Sequence, residues 1–244
     1  MTDLHCHILP GVDDGAEDMQ EALDMARLAA DSGVRAIVAT PHCNLPQADE
    51  PNYLDASLLQ QVSTFRQALQ NAQIPIKIYA GAEVFCTPEI DDLLQERKLM
   101  TLAGSKYLLT EFYFDESPDF MEECFELIRA RGFIPVIAHP ERYEAVQHAP
   151  GLIQDWFLEG NIIQLNKGSI LGKLGRRAED AAAWILERGL AHTVASDAHG
   201  SHIRTPHMHA VRHHLEEAYA PEYARILLSI NPGRIIRDQK VLET

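Results

Sequence analysis

The chain has 244 residues, 46% of them hydrophobic, and a formal net charge of −15. That length can fill one α/β barrel or two smaller domains, and the acidic balance argues against nucleic acid or anionic membrane as partners, since both need surplus Lys and Arg. No apolar run approaches the roughly 18 to 20 residues that cross a bilayer, and the start lacks the basic and apolar regions of a signal peptide, so a cytoplasmic protein without membrane insertion is expected.

In chain order, short runs rich in Val and Ile alternate with segments of helical period, the pattern of βα units around a parallel sheet. The first run, Met1-Thr-Asp-Leu-His-Cys-His7, puts two imidazoles two positions apart at the end of a strand. Alternate strand residues share a face, so His5 and His7 can meet one metal ion while Cys6 points away. A helix with Met19, Leu23, Ala26 and Ala30 on one face follows, closed by Gly33. Further helices are predicted over residues 58–69, 120–128, 178–186 and 209–219, and seven strands should end near His5, Thr40, Ala82, Thr110, Ala138, Leu165 and Ser196. The two longest connections, 43–53 and 201–206, each follow a candidate ligand and should border a substrate mouth. No linker or repeat divides the chain, so one domain over residues 1–244 is the simplest organisation. The four cysteines, Cys6, Cys43, Cys86 and Cys124, have no paired spacing and read as reduced core thiols.

The arrangement of the first run recurs. His42, Glu83, Glu111, His139, Asp197 and His199 also stand where apolar strands run out, which is where parallel barrels gather their active sites. With His5, His7 and Asp14 they make nine candidate ligands, more than one ion can use and suited to two or three divalent ions. Mixed imidazole and carboxylate donors without thiolate favour manganese, iron or zinc.

The chain resembles the PHP (polymerase and histidinol phosphatase) family, and within it the manganese-dependent tyrosine-protein phosphatases of bacterial capsule and exopolysaccharide clusters. The matching motifs are DLHCHILPGVDDG (residues 3–15), ATPH (39–42), GAE (81–83), the strand with Glu111, AHPER (138–142), QLNKGS (164–169) and SDAH (196–199). The resemblance implies a single-domain, distorted (β/α)7 barrel with its site at the C-terminal ends of the strands. It also implies that His5, His7, Glu83 and Asp197 hold a first metal, Glu83, Glu111 and His139 a second, and Asp14, His42 and His199 a third, with Glu83 bridging. Three divalent ions outweigh the four carboxylates by two charges, so such a site attracts a phosphate ester and makes hydroxide available near neutral pH for in-line attack.

Arg142 and Arg204 follow ligands by a few residues, and the resemblance gives them substrate and transition-state stabilisation; the plainer alternative is surface pairing with Glu141 or Asp197. Asn166 and Lys167 either line the phosphate pocket or form a structural turn. The other histidines, His148, His192, His202, His207, His209, His213 and His214, read as surface or core residues. A cysteine-dependent phosphatase is excluded, because the positions six after each cysteine hold Val12, Asp49, Asp92 and Ala130 rather than Arg. The resemblance therefore points to metal-based hydrolysis of phosphotyrosine, on the tail of a bacterial tyrosine kinase that regulates polysaccharide synthesis, with phosphate as product. A small-molecule phosphatase acting on a compound such as histidinol phosphate is the alternative. An exonuclease and a catalytically silent scaffold are the other readings, disfavoured respectively by the acidic charge and by the completeness of the ligand set.

Overall fold

The computed structural model describes residues 1–46, 48 and 51–243. Its strands are β1 (Thr2–Cys6), β2 (Ala36–Ala39), β3 (His42–Cys43), β4 (Lys77–Ala80), β5 (Glu83–Phe85), β6 (Tyr107–Glu111), β7 (Ile134–Ala138), β8 (Ile162–Asn166) and β9 (Thr193–Ala195). They pair in parallel as two sheets, in the orders β1-β2-β4 and β3-β5-β6-β7-β8-β9. The fold is thus α/β with parallel strands, as expected, but nine strands are described where seven were predicted.

The two extra strands come from interruptions. Pro41 has no N–H to give a ladder, so the run ending at His42 breaks after Ala39 and resumes as β3. At Gly81 a Cβ would stand 2.6 Å from Val38 Cγ1, and the chain steps here between β4 and β5. His42 and Glu83 consequently open short strands rather than end long ones, and they are register partners of each other. The remaining edges meet through β1 and β9. Cys6 bridges Ala198, the His7 N–H donates to the Ala198 carbonyl, and the Asp197 N–H donates to the His5 carbonyl.

The helices are α1 (Met19–Asp31), α2 (Ala56–Asn71), α3 (Ile90–Gln95), α4 (Pro118–Ala130), α5 (Glu144–His148), α6 (Leu152–Leu158), α7 (Lys167–Ile170), α8 (Arg176–Glu187) and α9 (His209–Ala218), followed by shorter helical turns. Their starts follow side-chain chemistry: Asp18 accepts the N–H groups of Gln20 and Glu21, Asp55 that of Leu58, and Ser117 that of Phe120 before Pro118. Past α1, Gly33 takes φ +94°, the left-handed turn that stops the helix. None of the helices among the described residues is long and apolar enough to cross a membrane.

Strand alternation stacks the interior in order. On β6, Tyr107 and Leu109 lie in an apolar cluster with Leu4, Val38, Val136 and Ile162, and Glu111 is next on the same face. On β8, Ile162 is followed on that face by Gln164 and then Asn166. Apolar side chains thus fill the lower interior and polar ones appear above them at the C-terminal ends. A register shift in β1 between Asp3 and Cys6 lets both Leu4 and His5 face inward, while Cys6 packs in the outer core. All four cysteines are free and buried.

Candidate metal centre

Two imidazole rings face each other at its heart. His5 Nδ1 lies 2.9 Å from Gln164 Oε1, whose amide is oriented by donating Nε2–H to the Leu165 carbonyl, and His7 Nδ1 lies 2.6 Å from Asp13 Oδ2. Each Nδ1 therefore faces an acceptor and takes a proton, which leaves Nε2 as the atom turned toward the carboxylates, where a proton or a metal ion can bind. Those two Nε2 atoms are 3.2 Å apart, and Glu83 Oε2 stands 3.1 and 3.2 Å from them. Asp197 Oδ1 adds a fourth electron-rich atom at 3.5 and 3.7 Å. Lone pairs aimed at carboxylates repel unless a cation lies among them, and acceptors behind the imidazoles are the usual support of metal-binding histidines.

The array continues outward. Glu83 Oε1 is 3.0 Å from His139 Nε2, and Glu111 Oε1 is 3.7 Å from it. His42 Nδ1 lies 3.2 Å from both Glu83 Oε2 and Glu111 Oε2, and these three buried atoms have no hydrogen-bond partner. On its other side, His42 Nε2 is 3.5 Å from Asp14 Oδ1, which is also 3.4 Å from His199 Nε2. All nine predicted ligands therefore meet in one continuous set. Their tightest groupings are His5, His7 and Glu83; His42, Glu83 and Glu111; and His7, Asp14, His42 and His199. His7, His42 and Glu83 each belong to two of these groupings, whereas the expected layout shares only Glu83 between ions.

Charge within the cluster follows burial and neighbours. Burial acts to discharge His42, but the Glu111 and Glu83 carboxylates outweigh it and raise it to about 9. Burial also opposes charge on Asp13, yet the His7 ring and the amides of His42 and Gly15 bring it down to about 2. His199 is pushed down to about 3, first by burial and then by His7. Protons thus compete for positions that a metal would take.

Asp197 joins this cluster to the arginines. Its Oδ1 faces the imidazoles, while its Oδ2 accepts from Arg204 Nη2 at 2.7 Å, Asn166 Nδ2 at 2.6 Å and Arg142 Nη1 at 3.3 Å. Both arginines do pair with Asp197, as the plainer reading required, but this carboxylate is buried among the ligands, so the pairing brings the guanidiniums to the centre. His139, Asp197 and Arg204 also adopt φ of 36°, 48° and 50°, left-handed conformations uncommon for residues with side chains. Lys167 turns out to hold the Arg204 loop: its Nζ donates to the carbonyls of Thr205 and His207. Asn166 caps α7 through the Gly168 N–H as well as reaching Asp197.

The Asp14 side chain is 66% exposed and marks the mouth. One cleft of about 410 Å³ lies between Asp14, His199, Ile203 and Arg204, and another of about 370 Å³ between Asp14, His42, Leu45 and Asn52. The two long connections border the mouth as predicted, although residues 47, 49 and 50 of the first lie outside the described residues. A larger cleft of about 620 Å³ beside Tyr53 and Lys98 holds none of the candidate ligands.

Two supporting residues escaped the sequence reading. Asp13 was passed over for its neighbour Asp14, although an adjacent carboxylate pair is the signal that one binds and one supports. Gln164 stands in a quoted motif, but only strand parity toward His5 reveals its part.

A family model described as capsular polysaccharide synthesis, CpsB/CapC, matches residues 1–237. The chain belongs to that family. Among its CpsB/CapC relatives, it is 35% identical over 242 residues to the tyrosine-protein phosphatase YwqE of Bacillus subtilis, covering 99% of this chain and 93% of that one. It is 30% identical over 246 aligned positions to the tyrosine-protein phosphatase CpsB of Streptococcus pneumoniae, covering 99% and 100%. Among solved structures, one from the work on YwqE and CpsB, described as unique metal-dependent tyrosine phosphatases, superposes with a TM-score of 0.93 at 34% identity, over 100% of this chain and 97% of that one.

Proposed function

We infer that this chain is a metal-dependent protein-tyrosine phosphatase, a phosphoric monoester hydrolase. The observation that carries the reading is the convergence of His5 Nε2, His7 Nε2 and Glu83 Oε2, with both Nδ1 atoms committed to Gln164 and Asp13. Membership of the CpsB/CapC family and similarity to YwqE and CpsB favour phosphotyrosine over a small molecule such as histidinol phosphate.

His5, His7, Glu83 and Asp197 would hold a first ion, Glu83, Glu111 and His139 a second, and Asp14, His42 and His199 a third. Imidazole and carboxylate donors, with the cysteines outside the groupings, suit two or three manganese ions, with iron or zinc as alternatives. When bound, such ions supply charge that polarises phosphoryl oxygens and makes hydroxide available near neutral pH. Arg142 and Arg204 present planar forks to the remaining phosphoryl oxygens, held by Asp197 so that little reorganisation accompanies charge development. Asp13 and Gln164 fix the imidazole tautomers. Water replaces the tyrosine oxygen on phosphorus, and tyrosine and phosphate leave.

The finer architecture belongs to the same reading. Taking β2 with β3 and β4 with β5 as interrupted single staves gives a distorted (β/α)7 barrel in one domain, residues 1–244. An exposed Asp14 and open flanking clefts suit a phosphotyrosine offered on a flexible tail, and the capsule context of the family suits the tail of a bacterial tyrosine kinase, met by a cytoplasmic phosphatase. The test is kcat/KM of manganese-loaded protein on a phosphotyrosine peptide, a phosphoserine peptide and histidinol phosphate, with a chelator control. Chelator-sensitive preference for phosphotyrosine is expected; preference for histidinol phosphate would overturn the substrate, and activity indifferent to chelation would overturn the metal.

A further inference from the structure

After delivering Glu111 to the ligand array, β6 runs into three aromatic residues with different fates. Phe112 is an anchor, packed edge-on against Phe120, Phe125 and Tyr143 in the core. Tyr113 leans edge-on against Phe85, with ring centroids 4.7 Å apart, and remains 44% exposed. Phe114 is 42% exposed, so burial does not account for a phenyl ring at this position.

What surrounds Phe114 is the centre itself. Its carbonyl accepts the Glu144 N–H at 2.8 Å, which fastens it to the segment after β7 that carries His139 and Arg142. The Arg142 guanidinium carbon lies 4.3 Å from its ring centroid, a cation–π contact, and its ring is 6.2 Å from the imidazole of His139. An open aromatic ring thus adjoins both an arginine aimed at phosphate and a candidate ligand. A phosphate ester held by Arg142 has its leaving group next to an apolar, polarisable wall.

We propose that Phe114 is a specificity-determining residue, which seats the aryl leaving group and sets a preference for aryl over alkyl phosphate monoesters. The proposal rests on the phosphatase reading and deepens it. An aromatic pair gains by offset or edge-on contact what an alkyl chain cannot match, so its signature is discrimination rather than general activity. The competing role is a platform for Arg142, which would affect every phosphate ligand alike.

The experiment compares wild type with Phe114→Leu and Phe114→Tyr, all manganese-loaded and checked for metal content. Readouts are kcat and KM on a phosphotyrosine peptide and the inhibition constant of inorganic phosphate, which has no aryl group. Phe114→Leu should lower kcat/KM roughly three- to tenfold, mainly through KM, with the phosphate inhibition constant unchanged, and Phe114→Tyr should restore the wild-type value. If the phosphate constant rises in step with KM, Phe114 acts only through Arg142 and the proposal fails; unchanged KM in Phe114→Leu also overturns it. Failure of wild type itself to hydrolyse the phosphotyrosine peptide instead overturns the phosphatase reading, and the role of Phe114 with it.

Discussion

Replacing Asp13 by Asn probes how the centre is held without touching a proposed ligand. Oδ2 of Asp13 accepts from His7 Nδ1 at 2.6 Å and from the His42 amide at 2.9 Å, while Oδ1 accepts from the Gly15 amide at 3.0 Å. An asparagine has one oxygen for these two jobs. With its oxygen toward His7 and His42, its NH₂ group meets the Gly15 N–H; flipped, it meets two donors at once. Either way at least one nearly buried donor loses its acceptor, at a cost of about 1–3 kcal/mol. The His7 ring also loses its anionic support, which for an outer partner of a metal-binding histidine lowers affinity roughly 10- to 100-fold. Manganese affinity measured by competition with a chelator should therefore weaken by that factor in Asp13→Asn, with the helical circular dichroism preserved. Affinity within twofold of wild type would show that the His7 tautomer and ring are fixed without Asp13 and would refute the reasoning.

Arg204→Ala should lose at least tenfold in kcat on a phosphotyrosine peptide while retaining its metal, as counted by elemental analysis; unchanged kcat would remove Arg204 from the mechanism. His192 gives a pH dependence away from the centre. It is buried, stacked on Phe157 at 4.7 Å, and its Nδ1 accepts the Ile163 N–H at 3.0 Å, so burial pushes it down to about 4. The unfolded chain binds a proton here below about pH 6.5 while the fold resists it, so the contribution is intact above that pH and lost as pH falls toward 4, by about 3 kcal/mol in all. Urea unfolding of wild type and His192→Asn, which keeps an acceptor without the titration, should show a stability difference that changes over pH 6.5 to 4 and is flat above; parallel curves would exclude His192 as the source.

Much of the centre was legible because ligands obey strand geometry. His5 and His7 share a face through the period of two, and Glu111 continues the face of Tyr107 and Leu109. Less legible were features set by contacts distant in sequence. The breaks at Pro41 and Gly81 depend on a ladder and on the proximity of Val38, which no local pattern reports. The division of labour between Asp13 and Asp14 depends on which of two adjacent carboxylates turns back toward His7. Lys167 could be read as pocket or turn; only its reach to the carbonyls of Thr205 and His207, across nearly forty residues of chain, decides that it braces a loop.

The left-handed backbone at Arg204 has a consequence for how the molecule tolerates change. A side-chain-bearing residue at φ 50° costs on the order of 1 kcal/mol that glycine would not incur, and the same holds for His139 and Asp197. At Arg204 that strain is set against the guanidinium's charged hydrogen bond to the buried Asp197 carboxylate at 2.7 Å, which glycine would remove, so the unfavourable backbone is held in place by the buried charge it serves.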